Sequence, residues 1–363
     1  MSAIPAPETG PDAGTTWHFG DPFGEQRAAA SSGVVVDRSH RSTLQLTGDD
    51  RRKWLHTIST QHVSDLADGA VVENLSLDVQ GRVEDHWLQT QLDGVTIIDT
   101  EPWRGEPLLA YLRKMVFWAE VVVDPADLAV LSLLGPQVED PAVLATLGLD
   151  ALPPDSSAVP LADGGFVRSL RRGEFATEVD LVVPRDTAAG WRDRLTASGL
   201  RRAGVWAYEA QRAAAVRPRL GVDTDERTIP HEVGWIGGPG DGAVHLEKGC
   251  YRGQETVARV HNLGKPPRML VLLHLDGSAD RPVTGDPVLA GGRAIGRLGT
   301  VVDHVDLGAI AIALLKRGVP AETELTTGGD TPVNALIDPD SMPAAAGVGA
   351  GRLAVERLRS EPR

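Results

Sequence analysis

The stretch Lys248-Gly249-Cys250-Tyr251-Arg252-Gly253-Gln254-Glu255 carries more information than any other in this chain. It holds the sole cysteine among 363 residues. A free thiol titrates near ~8.5, and only the thiolate is a good nucleophile or metal ligand. Lys248 stands two positions before Cys250, on the same side of an extended segment. A nearby cation favours the thiolate. From Gly253 onward, Gln254-Glu255-Thr256-Val257-Ala258 has helical composition. A helix starting there would point its N-terminal dipole at an anion just upstream. Gly249 and Gly253 lack Cβ atoms and permit close approach of backbone or ligand. Together these features predict an accessible, activated thiol. A lone cysteine is also commonly a small buried core residue. The residues alone leave both readings open.

Composition narrows the classes around this motif. Lys and Arg total 36 and Asp and Glu total 50, a formal charge of −14. Phosphate neutralisation needs clustered basic residues, so no nucleic-acid partner is expected. One cysteine cannot form an intrachain disulfide, which excludes a disulfide-stapled scaffold. The first thirty residues lack a basic start and an apolar run, so no signal peptide is expected. The longest apolar run, Leu307 to Leu315, is far shorter than the about 20 residues a membrane helix needs. The expected setting is the cytoplasm, with no membrane partner. Length predicts roughly two domains.

Patterning predicts a loose N-terminal arm over residues 1–30, packed in part through Trp17 and Phe19. Ser42 to Thr47 alternates as a strand, and Gly48-Asp49-Asp50 precedes a helix with Trp54, Leu55 and Ile58 on one face. Strands are expected at Val83 to Gln91, Val95 to Asp99, Val121 to Val123, Leu128 to Leu134, Phe166 to Leu170 and Glu178 to Val183. Helices are expected at Glu106 to Phe117, Pro141 to Leu147, after an Asp186 cap, and at Gly204 to Val216. The elements do not alternate as in a parallel doubly wound sheet. The class is therefore α+β, with helices on one face of the sheets. After about 266, short apolar runs separated by Gly, Asp and Pro read as a small all-β barrel or sandwich. The expected organisation is an arm at 1–30, two α+β modules over 31–266 with a boundary near 125, a β-barrel over 267–337, and a flexible tail over 338–363.

Several motifs are missing. There is no GxxxxGK[ST] loop, HExxH, CxxC or GxSxG. The ten histidines are scattered. No stably bound metal is expected.

The Lys-Gly-Cys-Tyr-x-Gly-Gln-Glu run, continued by Thr256-Val257-Ala258-Arg259 and Gly264-Lys265, resembles the signature of the YgfZ family. These are folate-binding iron–sulfur maintenance proteins related to the glycine cleavage T-protein. Four further stretches are similar to that family: Thr43 to Asp50 with Trp54-Leu55, Gly81-Arg82-Val83-Glu84-Asp85, Leu134-Gly135-Pro136, and Pro218 to Asp223 through Pro230-His231-Glu232. Together they cover residues from about 35 to 315.

The resemblance implies T-protein-like modules around a central hole, followed by a C-terminal β-barrel. It implies tetrahydrofolate or a derivative as cofactor, with Asp85 and Glu232 as folate-binding positions. A carboxylate at Asp85 could hold or accept a proton from a folate amine. Cys250 and Lys248 become the catalytic positions, with Gly249, Tyr251, Gly253, Gln254 and Glu255 completing the motif. The implied partners are folate and iron–sulfur client proteins or their assembly machinery. One cysteine cannot hold a cluster alone, since clusters take about four protein ligands. Cys250 could serve as a transient cluster ligand. Arg168, Arg171 and Arg172 form a basic cluster that could meet an anionic folate tail.

This chain departs from the T-protein where His86 replaces a second Asp and Arg82 a second Gly, and the T-protein lacks the cysteine signature. Three readings follow. One is a folate-dependent factor for iron–sulfur proteins working through Cys250. Another is a folate-dependent aminomethyl or one-carbon transferase using Asp85. The third is a non-enzymatic folate-binding module with an inert cysteine. Whether the chain turns over a substrate is left open by the residues.

Overall fold

Apolar alternation builds two sheets and a barrel in the computed structural model, which describes residues 2–170, 177–278, 280–329 and 331–343. The chain divides into two compact units. One comprises the residues up to Ser76, Asp85–Gln211 and Gly237–Gly249. The other takes Leu77–Glu84, Arg212–Ile236 and the described residues from Cys250 on.

In the first unit a five-stranded antiparallel sheet runs in the order Val71–Leu77, Val83–Leu92, Val95–Thr100, Ser42–Thr47, Val122–Pro125. One face, with Leu44, Leu46, Trp87 and Ile98, packs against Trp54 and Leu55 of helix Arg51–Ile58 and Leu108 and Leu112 of helix Gly105–Met115. A six-stranded sheet runs Ser157–Pro160, Phe166–Ser169, Glu178–Pro184, Leu128–Leu134, Val34–Asp37, Arg201–Ala203, with only the last pair parallel. Val35, Leu131, Leu133, Val167 and Leu181 face helices Pro141–Leu147 and Ala188–Ala197. Val34 and Val36, of opposite parity, pack with Ala29 of helix Pro22–Ser31 and with Tyr208 of helix Val205–Ala214. Helices thus touch both faces of this sheet, where one covered face was expected.

The face of this sheet that carries Val34 and Val36 also meets the second face of the five-stranded sheet. Half of that contact is apolar: Val71, Leu92, Val130, Ala158, Phe166 and Val182. The other half is charged. Arg168, two positions from Phe166, is 1% exposed and sends Nη2 to Asp99 Oδ2 at 2.6 Å and to Asp180 Oδ2 at 2.8 Å. Arg41 donates Nε to Asp99 Oδ1 at 2.7 Å and Nη1 to Glu101 Oε1 at 3.1 Å. Ser132 donates to Asp180 Oδ1 at 2.6 Å. Burial raises the Asp99 carboxyl's pKa, but Arg168 and Arg41 outweigh it and hold the group below the usual carboxylate value.

The second unit contains a closed six-stranded barrel in the order Arg268–Leu275, Gly308–Lys316, Arg293–His304, Pro287–Ala290, Leu325–Thr327, Val333–Ile337. Its inside is filled by alternating side chains, among them Met269, Val271, Leu273, Leu298, Ala311, Ala313 and Leu315. Closure leaves no sheet edge to pair with another chain.

Several expectations need correction. The first thirty residues are not a loose arm. Ile4–Pro5 pairs with Thr16–His18 and Pro22–Ser31 is a helix, while Trp17 packs as expected, stacked on Trp206 at 5.6 Å between ring centroids. Asp186 is not a helix cap. It lies in a 3-10 turn, Arg185–Thr187, and Thr187 takes the N-cap position, its hydroxyl donating back to the Pro184 carbonyl. The start of the tail is tied down, because Leu272 N donates to Ser341 Oγ at 2.9 Å and His274 meets Asp338 at 3.0 Å. The rest of that tail, 344–363, lies outside the described residues. Among the described residues no helix is long and apolar enough to cross a membrane.

The charged half of the sheet contact makes a measurable demand. Arg168→Met leaves the Asp99 and Asp180 carboxylates without their shared cation. The unfolding free energy in urea is expected to fall by about 3–5 kcal/mol. A loss below about 1 kcal/mol, the range of an exposed pair, would remove Arg168 from the core of this contact.

Candidate functional site

The surroundings of Cys250 are built outward from the first strand of the barrel. Arg268, the opening residue of that strand, donates Nε to Glu232 Oε1 at 2.8 Å and Nη2 to Glu232 Oε2 at 2.7 Å. It also gives Nη1 to Asp225 Oδ2 at 2.6 Å and Nη2 to Asp225 Oδ1 at 3.1 Å. Two forked carboxylate contacts on one guanidinium suit its planar donor set. Burial acts to lower the Arg268 pKa, but bonds to Glu232 and Asp225 outweigh it and raise it. Asp225 Oδ1 also accepts from Thr228 Oγ1 at 3.0 Å, and the Thr228 carbonyl accepts from Val83 N at 2.8 Å.

Val83 leaves a tight turn over residues 78–82. The Asp78 carboxylate accepts from Gln80 N and Arg82 N, each at 2.8 Å. This turn lies directly on the start of helix Gln254–Leu263. Gly253 caps the helix with φ of 81°, and a Cβ there would sit 2.6 Å from the Asp78 carbonyl oxygen. A Cβ on Gly81, at φ of +80°, would sit 2.8 Å from Thr256 Cβ. The close approach predicted for Gly253 is therefore an approach by backbone. Arg252 adds an ion pair to Glu84 at 2.9 Å.

Cys250 is exposed. Tyr251 beside it is buried, and burial pushes its phenol up to about 12. Gln254 N donates to the Tyr251 carbonyl at 3.3 Å, which ties the cysteine's neighbour to the helix start. The predicted helix after Gly253 is present, with Gln254 and Glu255 in its first turn. Gly249 has open space where a Cβ would stand.

Lys248 belongs to the first unit and does something the sequence did not suggest. It is 5% exposed, and its ammonium donates to the carbonyls of His56, of Ser59 at 2.6 Å and of Gln61 at 3.1 Å. These lie at and just past the C-terminal end of helix Arg51–Ile58, where a cation is favoured. Neighbouring bonds hold the same segment. Gln61 Nε2 donates to Gly242 O at 2.6 Å, Thr60 Oγ1 to Ala243 O at 2.7 Å, and His245 N to Thr60 O at 3.1 Å. Burial pulls the Lys248 pKa down to about 7. Three carbonyls need three N–H donors, and only the ammonium form has them.

Asp85, also in the first unit, is 2% exposed. Ser76 donates to Oδ2 at 2.7 Å, and Arg104 reaches Oδ1 through Nε at 2.7 Å and Nη2 at 2.6 Å. A carboxylate offers about four acceptor positions. These contacts fill three of them. His86, where the T-protein has its second Asp, meets Glu73 at 2.8 Å. Glu73 also lines a cleft of about 350 Å³ with Ser156, Leu170 and Asp241.

Glu232 and Cys250 with its following motif residues fall in the second unit, Asp85 and Lys248 in the first. Glu232 is taken up by Arg268. Arg168 is not part of an exposed basic cluster, because Asp99 and Asp180 bury it; Arg171 and Arg172 lie outside the described residues. The sequence reading missed Arg268, Asp225, Thr228, Ser76 and Arg104. Asp225 and Thr228 lie inside a stretch it had marked, but nothing local distinguishes them from surface residues. Among the described residues no group of three or more His, Cys, Asp or Glu could hold a metal ion.

No protein-family model matches the chain. A protein of Escherichia coli O157:H7 named tRNA-modifying protein YgfZ is 30% identical over 271 residues, 72% of this chain and 78% of that one. An aminomethyltransferase of Stenotrophomonas maltophilia is 28% identical over 232 residues, 59% of this chain and 61% of that one. The chain spans 61% of the length of the first curated relatives it matches. The crystal structure of glycine cleavage system aminomethyltransferase T from Bartonella henselae superposes with a TM-score of 0.79 at 19% identity, over 96% of this chain and 95% of that one. That likeness bears out the expected T-protein-like fold.

Two outcomes follow from this geometry. Lys248→Met strands the three carbonyls, and unfolding in urea is expected to need about 2–4 kcal/mol less. A variant as stable as wild type would show that the ammonium contributes nothing there. The second outcome concerns pH. Burial holds His56 and His231 down to about 4, with Lys248 adding to the effect at His56 and His261 at His231. In the unfolded chain both titrate near ~6.5. Between those values the unfolded state binds more protons, so stability is fully present above about pH 6.5 and falls as pH drops toward 4. His231→Gln is expected to flatten that fall by about one proton, read from urea midpoints across the range. An unchanged slope would contradict the burial of His231.

Proposed function

Since the chain belongs to the YgfZ family, we propose that it is a tetrahydrofolate-binding factor for the assembly, maintenance or repair of iron–sulfur proteins, working through the Cys250 thiol. The observation that carries this reading is the exposed thiol held just before the N-terminal turn of helix Gln254–Leu263. A helix start favours an anion, and a thiolate is the reactive form of cysteine. An iron–sulfur cluster is here a cargo. Cys250 supplies one ligand or one nucleophile, and the remaining ligands belong to the client or the assembly machinery.

The residues present fit folate at Asp85, whose carboxylate keeps one acceptor position for an amine N–H beside Ser76 and Arg104. When bound, the folate would supply one-carbon chemistry, and Asp85 would hold its amine. Glu232 is a weaker folate position, because Arg268 engages both of its oxygens. A folate-dependent aminomethyl transferase asks more of Asp85, which must then accept a proton. Its engagement by Arg104 favours the holding role.

The reading is tested in a strain lacking the gene. An iron–sulfur enzyme, such as a tRNA methylthiotransferase, is assayed under oxidative stress after return of wild type or Cys250→Ser. Wild type is expected to restore activity and the variant to leave it at the deletion level. Equal rescue by both would make Cys250 structural. No defect in the deletion strain would remove the iron–sulfur role and favour the transferase.

A further inference from the structure

Independently of any role for Cys250, we propose that His56 is the trigger of a pH-sensitive catch within the first unit: with a neutral ring it holds segment 237–249 on the end of helix Arg51–Ile58, and once protonated it frees that segment. The freed stretch ends at Lys248-Gly249, the two residues that precede Cys250 in the chain.

The segment is fastened to the helix end by donors from both sides. Lys248 Nζ donates to the carbonyls of His56, of Ser59 at 2.6 Å and of Gln61 at 3.1 Å. Gln61 Nε2 donates to Gly237 O at 3.2 Å and to Gly242 O at 2.6 Å, and Thr60 Oγ1 to Ala243 O at 2.7 Å. His245 N returns a bond to Thr60 O at 3.1 Å. Three imidazoles lie across the same junction. The rings of His56 and His62 are 4.7 Å apart between centroids, and those of His62 and His245 5.3 Å. The first two come from the helix end and the loop after it, the third from the segment.

The closed arrangement requires a neutral His56. Val63 N donates to His56 Nδ1 at 3.3 Å, as Glu247 N does to His245 Nδ1 at 3.2 Å. A charged imidazole carries two N–H groups and no acceptor, so a protonated His56 sets one N–H against another. The surrounding charges oppose protonation as well. Lys248 and His245 act on His56 from the segment, and His62 and Asp65 from its own loop. Asp65, the anion of this set, has a side chain 81% exposed and already meets His62 at 3.3 Å, so water and salt weaken its pull. Tyr111, from helix Gly105–Met115, reaches the Ile58 carbonyl at 3.5 Å and is uncharged in acid. Burial and then Lys248 hold His56 down to about 4, against ~6.5 for an imidazole in water. The open form therefore takes up a proton between those values where the closed form does not, and falling pH favours opening.

The experiment is hydrogen–deuterium exchange of the purified full chain, read by mass spectrometry at pH 7 and pH 5 and corrected for the intrinsic pH dependence of amide exchange. Protection over residues 243–248 is expected to fall by about twentyfold from pH 7 to pH 5, the change for one imidazole moved from ~6.5 to about 4. Amides of strand Leu128–Leu134, in the core of the same unit, report unfolding of that unit as a whole and are expected to be better protected at both values. His56→Gln keeps an acceptor for Val63 N and cannot gain a charge, so protection over 243–248 is expected to change by less than about threefold. Where His56→Gln folds poorly, the two wild-type regions decide. Unchanged wild-type protection over 243–248, or protection equal to that of Leu128–Leu134 at both values, would overturn the proposal, as would an undiminished fall in folded His56→Gln. The readout involves neither folate nor an iron–sulfur enzyme, so either result leaves the role of Cys250 untouched.

Discussion

The guanidinium of Arg268, shared between Asp225 and Glu232, is the tie on which the surroundings of Cys250 depend. It opens the first barrel strand and so belongs to a rigid closed sheet. Through Asp225 it holds Thr228, through Thr228 the exit of the 78–82 turn, and through that turn the start of the helix that follows the cysteine motif. Each link is a hydrogen bond or a close backbone contact between groups with little freedom. A charge-assisted forked pair is stronger than neutral bonds and specifies geometry as well as energy. This explains why Glu232 sits 2% exposed in a short turn with both oxygens engaged.

The first unit follows the same logic with different residues. Its two sheets meet through an apolar patch that continues into a group of paired charges centred on Arg168 and Asp99. Buried charges are costly unless paired and hydrogen-bonded. Here every named cation has a carboxylate within hydrogen-bond reach. Such a contact tolerates little sliding, because a shift of one residue turns each inward side chain to the opposite face. Lys248 repeats the theme at the end of a helix. Its charge is met by carbonyls instead of carboxylates, and it pins the segment that leads to Gly249.

Much of this was legible in the order of residues. The strand Ser42–Thr47, the helices Arg51–Ile58 and Pro141–Leu147, and the strand Leu128–Leu134 fall where alternation and helical spacing put them. The helix after Gly253 was legible from composition and from the glycine before it. The strands Val71–Leu77 and Val333–Ile337 were passed over. The second alternates cleanly but is brief, and the first is buried on both faces except at Glu73, so it lacks a polar rhythm. Helix Pro22–Ser31 was hidden by Gly24 and by a run of small residues, and it is held by tertiary packing against the sheet.

The amino-acid order by itself determined the α+β class, the change to short strands after residue 266, the single cysteine and the glycines around it. These follow from periodicity, composition and local backbone freedom, all of which act within a few residues. Only the tertiary structure decided what the charges do. Lys248 reads from sequence as a cation for the thiol and proves to cap a helix 190 residues earlier. Arg168 reads as part of a basic cluster for an anionic tail and proves to be a core ion. Gly81 and Gly253, far apart in the chain, prove to touch. Each outcome depends on which distant group satisfies a buried donor or fills a missing Cβ. No local pattern carries that information, because the cost of an unpaired charge or an overlapping atom exists only once the chain has closed around it.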